Sequence, residues 1–365
     1  MTQGPRPRGT TRRVRRFWLC ELLALTTALV LVAGCSIGIS GIPNSAHPHR
    51  QPRIPPAPAS ARCAGTHHAG LRTVSVHSAG RSYSVPVYFP RGYTNSRRVP
   101  LLLDLHGSAG NGLHQLKLSG FATLAAKHDF LVAAPDGGVR EHAHFGVSRY
   151  SWNVPGVPLF GGHKVPAGAR NDVRFLRDTI NQIVAENCVD RGEVYVAGFS
   201  GGARMASALA CDDASQVDAI IAVSGLRAGM PATNGRQPKP STCRPGEPVS
   251  VLAFHGLADK VAPYRGGAGK DWRYSVPEAL TSWARLDGCA RRVVHRAVSR
   301  HVRLTSYPRC GSRPGGRSLV ELFTISDGGH RWPGSDYTTA HASGHSTHEI
   351  SGSTLVWQFL SNKDV

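Results

Sequence analysis

The stretch VYVAGFSGGARM, residues 194–205, sets a β-branched run against residues that favour a helix, with Gly198-Phe199-Ser200-Gly201-Gly202 between them. A strand that hands over to a helix so abruptly needs small neighbours, because glycine lets backbone pass close by and takes up strained torsions. A serine at the apex of such a turn projects its hydroxyl above the sheet, the arrangement of a nucleophile elbow. An ordinary glycine-rich turn would carry the same letters. In a chain with 41 glycines the string alone decides little, so its surroundings must decide.

Outward from the elbow, strand and helix patterns alternate. TVSVHSA and RSYSVPVYFP read as an antiparallel hairpin turned at AGR, and VPLLLDLHGSAG is a near-continuous apolar run of the kind buried inside a parallel sheet. A helix over residues 113–128 follows, then the strand FLVAAPDGG. Val173, Leu176, Ile180, Ile183 and Val184 share one face of a helix running from Asp172 to Cys188, ahead of the elbow strand. DAIIAVSG, VSVLAFHGLAD and SLVELFTISDGGH are further strands, with helices at PEALTSWARLDG and SGSTLVWQFLSN. This alternation predicts an α/β fold with a doubly wound, mostly parallel sheet. Only residues 138–170, rich in glycine, proline and histidine, break the rhythm; following a strand's carboxyl end, they are placed either to cap a pocket or to form a surface insertion.

A serine hydroxyl needs a base, usually a histidine held in one tautomer by a carboxylate. Among 18 histidines, His330 in DGGHRWPG is the best placed, on a loop at the carboxyl end of a late strand. His255 lies inside a strand and reads as structural. Asp259, four residues on in HGLADKVAP, is the expected acid, with Asp104, Asp136 and Asp327 as competitors. The chain order Ser200, Asp259, His330 is that of α/β-hydrolases. An oxyanion site would draw the N–H of Gly201, at the helix start, and that of Ser108 in DLHGSAGN.

LLLDLHGSAGN, VYVAGFSGGARMASALAC, VLAFHGLADKVAPYRGG and DGGHRWPG together resemble the poly(3-hydroxybutyrate) depolymerase and feruloyl/acetylxylan esterase family, which includes lipoprotein esterases. The resemblance runs from about residue 70 to the C-terminus. It implies a serine carboxylesterase with Ser200 as nucleophile, His330 as base and Asp259 as its orienter, without a cofactor. It also implies Trp152 and Trp332 as apolar walls for an acyl or aromatic group, where ordinary packing is the alternative. Many relatives carry Cys after the HG pair where this chain has Ser108; a backbone donor tolerates that change.

Residues 1–34 read as an export leader, with Arg6, Arg8, Arg12, Arg13, Arg15 and Arg16 ahead of the apolar run FWLCELLALTTALVLVAG. Val32-Ala33-Gly34-Cys35 resembles a lipobox, which implies lipidation of Cys35 and attachment to the outer face of the cytoplasmic membrane. A retained span is the alternative, opposed by Glu21 inside the run. Arg15-Arg16-Phe17 leaves twin-arginine export open beside the general route. Residues 35–62 are a proline-rich tether, and residues 63–365 form the catalytic domain. Six cysteines of that domain suit disulfides in an oxidising compartment, expected as Cys188 with Cys211, Cys289 with Cys310 and Cys63 with Cys243.

The formal charge is +20, and it stays strongly positive once the leader arginines and Glu21 are set aside. No arginine-aromatic stripe or helix-turn-helix pattern accompanies it, so acidic wall polymer or anionic lipid is the expected attraction rather than nucleic acid. The protein is expected to act as a monomer. Three rivals to an esterase stand: a metal site at His341, His345 and His348, were HASGHSTH helical; an envelope-anchored binding protein without catalysis; and a peptidase using the same triad.

Overall fold

The computed structural model describes residues 68–94, 96–144, 146–267, 273–313 and 316–361. The leader, Cys35, the tether and Cys63 lie outside the described residues. Strands β1 (Gly70–Ser78) and β2 (Arg81–Phe89) form the expected hairpin around Ala79 and Gly80, both at positive φ. Val74, Val76, Val85 and Val87 are buried and alternate with more exposed residues, as a strand covered on one face requires.

Strand β3 (Val99–Leu105) is followed by helices α1 (Gly112–Ser119) and α2 (Phe121–His128), strand β4 (Leu131–Ala133), the hairpin β5 (Val139–His144) and β6 (Val147–Ser151), and helix α3 (Asp172–Glu186). Then come β7 (Val189–Phe199), α4 (Gly201–Asp212), β8 (Ala219–Val223), β9 (Ser250–Gly256), α5 (Val276–Leu286), β10 (Val294–Ala297) and β11 (Val302–Tyr307). A short ribbon of β12 (Ser312–Arg313) and β13 (Gly316–Arg317) precedes β14 (Val320–Ile325) and α6 (Gly352–Ser361).

One ten-stranded sheet runs β1-β2-β4-β3-β7-β8-β9-β14-β11-β10, and every pairing from β4 to β14 is parallel. Its central strands are largely apolar because both faces are covered, with Asp104 of β3 and His255 of β9 as buried exceptions. Leu101, Leu103 and Leu105 join the core beneath α3, α4 and α5, whereas Leu102, Tyr195, Ala197 and Phe199 join that beneath α1, α2 and α6. This is the doubly wound α/β-hydrolase architecture read from the sequence.

Three local expectations change. The helix foreseen over 113–128 is two helices, because Gly120 (φ 67°) takes the left-handed conformation that ends α1. The antiparallel strands β10 and β11 were not foreseen; β10, at the sheet edge, has every residue exposed, so no apolar alternation marks it. The pairing of Cys188 with Cys211 does not form: Cys211 bonds Cys243, which also removes the pairing of Cys63 with Cys243. The reason is proximity, since residues 244–245 run beside the end of α4, with Arg244 N–H to Cys211 O at 2.8 Å and Ala214 N–H to Pro245 O at 2.9 Å. Cys289 bonds Cys310, joining the end of α5 to the segment after β11, and Cys188 is itself disulfide-bonded.

Candidate active site

At the end of β7 the chain turns on Ser200, whose torsions are φ 52° and ψ −111°. A non-glycine residue in this region costs roughly 1–3 kcal/mol and persists only where its surroundings hold it. Here Ser200 N–H donates to Val223 O at 2.8 Å, and glycines admit the neighbouring backbone. A Cβ on Gly198 would stand 2.3 Å from Gly202 C, one on Gly202 2.1 Å from Leu105 O, and one on Gly225 2.3 Å from Ser200 O. Asn111, Asn171 and Ser275 cap their helices through their side chains, whereas Ser200, at the head of α4, makes no such bond. Its hydroxyl has no hydrogen-bond partner among the described residues.

Asp259 follows β9 and His330 follows β14, neighbouring parallel strands whose carboxyl ends lie side by side. Asp259 Oδ2 accepts from His330 Nδ1 at 2.7 Å, and Asp259 Oδ1 accepts the N–H groups of Val261 (2.9 Å) and Ala262 (2.8 Å). Burial pushes this carboxyl up, but the hydrogen bond and charge of His330, aided by His255 and the Ala262 amide, hold it below its ordinary range. An ionised Asp259 fixes the proton on Nδ1 and leaves the Nε2 lone pair bare. His330 is buried, and Nε2 has no hydrogen-bond partner among the described residues. The ring packs against Phe199 at 4.9 Å, and its backbone bridges Ser343.

His255 serves the Asp259 loop. Its Nε2 donates to Ala262 O at 2.7 Å and lies 3.5 Å from Asp259 Oδ2. Burial, against the pull of Asp259, lowers its pKa to about 4, so the ring stays neutral near pH 7.

The loop after β3 comes up beside the elbow. A Cβ on Gly201 would stand 3.1 Å from Ser108 N and 2.6 Å from Ser108 Oγ, so the two backbones meet. The Gly201 N–H, first in α4, cannot be satisfied within the helix. His106 shapes the loop: Nδ1 donates to Gly107 O at 2.7 Å and Nε2 accepts Gly137 N–H at 2.9 Å. Both bonds require a neutral ring, and burial lowers its pKa to about 4.

Trp152 and Trp332 are both buried, at 3% and 2% exposure, so neither presents an open wall. Trp152 Nε1 donates to His106 O at 2.8 Å while its ring packs on His106, bracing the loop after β3. Trp332 packs on Phe121 and donates to Ser353 Oγ at 3.0 Å. Of the competing acids, Asp104 is tied to Gln115 and Ser119, Asp136 caps Gly112 N–H, and Asp327 sits near His301 and His345; no hydrogen bond joins any of them to His330.

Residues 341–348 are not helical, so the three histidines do not stack: His341 packs on Phe160, His345 nears Asp327 and His348 nears Asp336. The 138–170 stretch is built rather than loose. Tyr150 of β6 bridges Gly110, and Ser151 Oγ accepts Ala109 N–H at 3.1 Å, so the hairpin holds the loop that carries Ser108. Sequence reasoning missed Ser151, Tyr150 and Phe199, since each acts through a contact with a segment distant along the chain.

A family model described as "Putative esterase" matches residues 76–312. The chain belongs to this esterase family. The match takes in Ser200 and Asp259 and stops short of His330. Feruloyl esterase B of Piromyces equi is 29% identical over 252 residues, covering 67% of this chain and 42% of its own length. The chain therefore spans less than half of that relative. Probable feruloyl esterase C of Aspergillus clavatus is 29% identical over 223 residues, covering 59% of this chain and 68% of its own length. Among solved structures, one described as a "Putative Dienelactone Hydrolase" from Klebsiella pneumoniae superposes with TM-score 0.50 at 16% identity, over 80% of this chain and 98% of that one, a likeness of fold.

Proposed function

We propose that the protein is an exported serine carboxylesterase that hydrolyses acyl esters, those borne by polysaccharides foremost, through an acyl-Ser200 intermediate. The observation that carries this reading is the buried Asp259–His330 pair, whose Nε2 has no hydrogen-bond partner among the described residues, together with a serine strained at φ 52° at the end of a central strand. Ser200 Oγ attacks the ester carbonyl as Nε2 takes its proton, and the N–H groups of Ser108 and Gly201 receive the charge on the carbonyl oxygen. His330 then returns the proton to the leaving alkoxide. A water deprotonated by the same nitrogen hydrolyses the acyl-enzyme and restores Ser200.

Polysaccharide esters are favoured because the relatives include proteins named feruloyl esterases. Export is supported by the Cys211–Cys243 and Cys289–Cys310 disulfides together with the basic-apolar leader, and lipidation at Cys35 by the lipobox-like sequence. Among the described residues no helix is long and apolar enough to cross a membrane. The test is a panel of p-nitrophenyl acyl esters, methyl ferulate, acetylated xylan and polyhydroxybutyrate, run with native protein and Ser200→Ala. Turnover confined to native protein is expected; a native protein inert on the whole panel, or a variant as active as native, overturns the reading.

A further inference from the structure

A groove of about 860 Å³ opens beside the oxyanion loop, from Ala109 and Asn111 between the N-terminal half of α1 and the β5–β6 hairpin to residues 338–340. Its lining does not include Ser200 but does include Ala109, the residue after Ser108. Its walls carry His114, Lys117 and Arg149. Lys117 is exposed and Arg149 half-buried, and neither has an ion-pair partner among the described residues. Two acids are near: Asp136, on the groove wall, accepts Gly112 N–H at 2.7 Å through Oδ1, and Glu141, opposite Arg149 in the hairpin register, forms no ion pair with it among the described residues.

Burial, and then the charges of Lys117 and Arg149, hold His114 below its ordinary range; burial, His330 and Arg149 do the same to His341. The remaining lining is rich in hydroxyls, among them Ser84, Ser148, Tyr150, Thr338 and Thr339. A concave, hydroxyl-lined channel with unpaired cations suits a sugar chain bearing carboxylates, whereas a membrane surface would call for a convex basic face.

We propose that Arg149 and Lys117 form an anion subsite that recognises the carboxylate of an acidic sugar, so that the preferred substrate is an ester on a uronate-bearing polysaccharide. The proposal rests on the esterase reading for its catalytic half and on the groove for its binding half.

The test compares a glucuronate-bearing acetylated oligosaccharide with the same compound after reduction of its carboxylate to the alcohol. For native protein at low ionic strength, kcat/KM is expected to favour the carboxylate form by about tenfold, a preference that shrinks as salt is added. Arg149→Ala/Lys117→Ala should bring the ratio near one, and Arg149→Lys/Lys117→Arg should restore most of it. A native ratio near one, or a preference that survives in the alanine pair, overturns the subsite. Equilibrium binding of both compounds to Ser200→Ala protein gives the same comparison without turnover. A protein inert on p-nitrophenyl acetate would defeat the esterase reading while this binding arm still judges the groove. Phosphatidylglycerol vesicles that bind through these two residues, with no discrimination between the oligosaccharides, would assign the cations to lipid and overturn the sugar proposal.

Discussion

Asp259 Oδ2 stands 2.7 Å from His330 Nδ1 with neither side chain exposed to solvent, and that single contact decides which imidazole nitrogen is free. Asp259→Asn puts an amide where the carboxylate was. The amide can donate to Nδ1, which moves the ring proton to Nε2 and removes the base. On p-nitrophenyl acetate kcat should fall about 10³-fold or more with KM little changed, as for loss of a group that acts on the transition state. A variant that keeps more than about a tenth of native kcat would take this pair out of the chemistry.

Gly202→Ala should damage the elbow without removing a polar group. Its Cβ would stand 2.1 Å from Leu105 O and 2.6 Å from His106 O, both backbone atoms at the end of β3, so α4 or the oxyanion loop must move. We expect a loss of about 2–3 kcal/mol in unfolding free energy and a larger proportional loss of kcat, because the displaced loop carries Ser108. Gly192→Ala is the control, with only Asp190 Oδ1 at 3.5 Å, and should change stability by less than about 0.5 kcal/mol.

The elements legible in the sequence were those whose period carries the information. The run 101–105 is apolar on both faces apart from Asp104 and had to be an interior strand, and the Ser200 turn announced itself by glycines that the packing requires. His330 and Asp259 could be nominated because each follows a strand, and the sheet sets neighbouring strand ends side by side. Trp152 and Cys211 could not be read this way. Their partners, His106 and Cys243, stand 46 and 32 residues away along the chain, and nothing local encodes such a meeting. Strand β10 was invisible for the opposite reason, being an exposed edge without an apolar face.

The cysteine pairing makes a separate prediction. Peptide mapping of unreduced protein should recover Cys211 linked to Cys243 and no fragment linking Cys188 to Cys211. Closing 32 residues of chain is worth about 3–4 kcal/mol by loop-entropy reasoning, so Cys211→Ser and Cys243→Ser should each destabilise by that order. The double variant should lose little more than either single one, since both remove the same link.

Asp104 should give the protein a pH-dependent stability separable from its activity. The carboxyl is fully buried under Gln115 and Ser119; burial raises its pKa from 3.8 to about 7, with hydrogen bonds from Ser119 and Gln115 opposing the rise. Because the folded pKa lies above the unfolded one, the folded state binds the extra proton, and the stability it contributes is complete below pH 3.8 and lost as pH rises through about 7. His106 and His255, both lowered to about 4, work in the other direction, costing stability as pH falls from 6.5. Asp104→Asn keeps an acceptor for Gln115 and a donor for Ser119 Oγ but carries no charge, whereas the two histidines are common to both proteins and cancel in the comparison. Between pH 5 and pH 8 the native protein should therefore lose roughly 2–3 kcal/mol more than the variant, read from denaturant midpoints at the two pH values. Parallel losses in the two proteins would mean that Asp104 is already ionised in the folded state at pH 5.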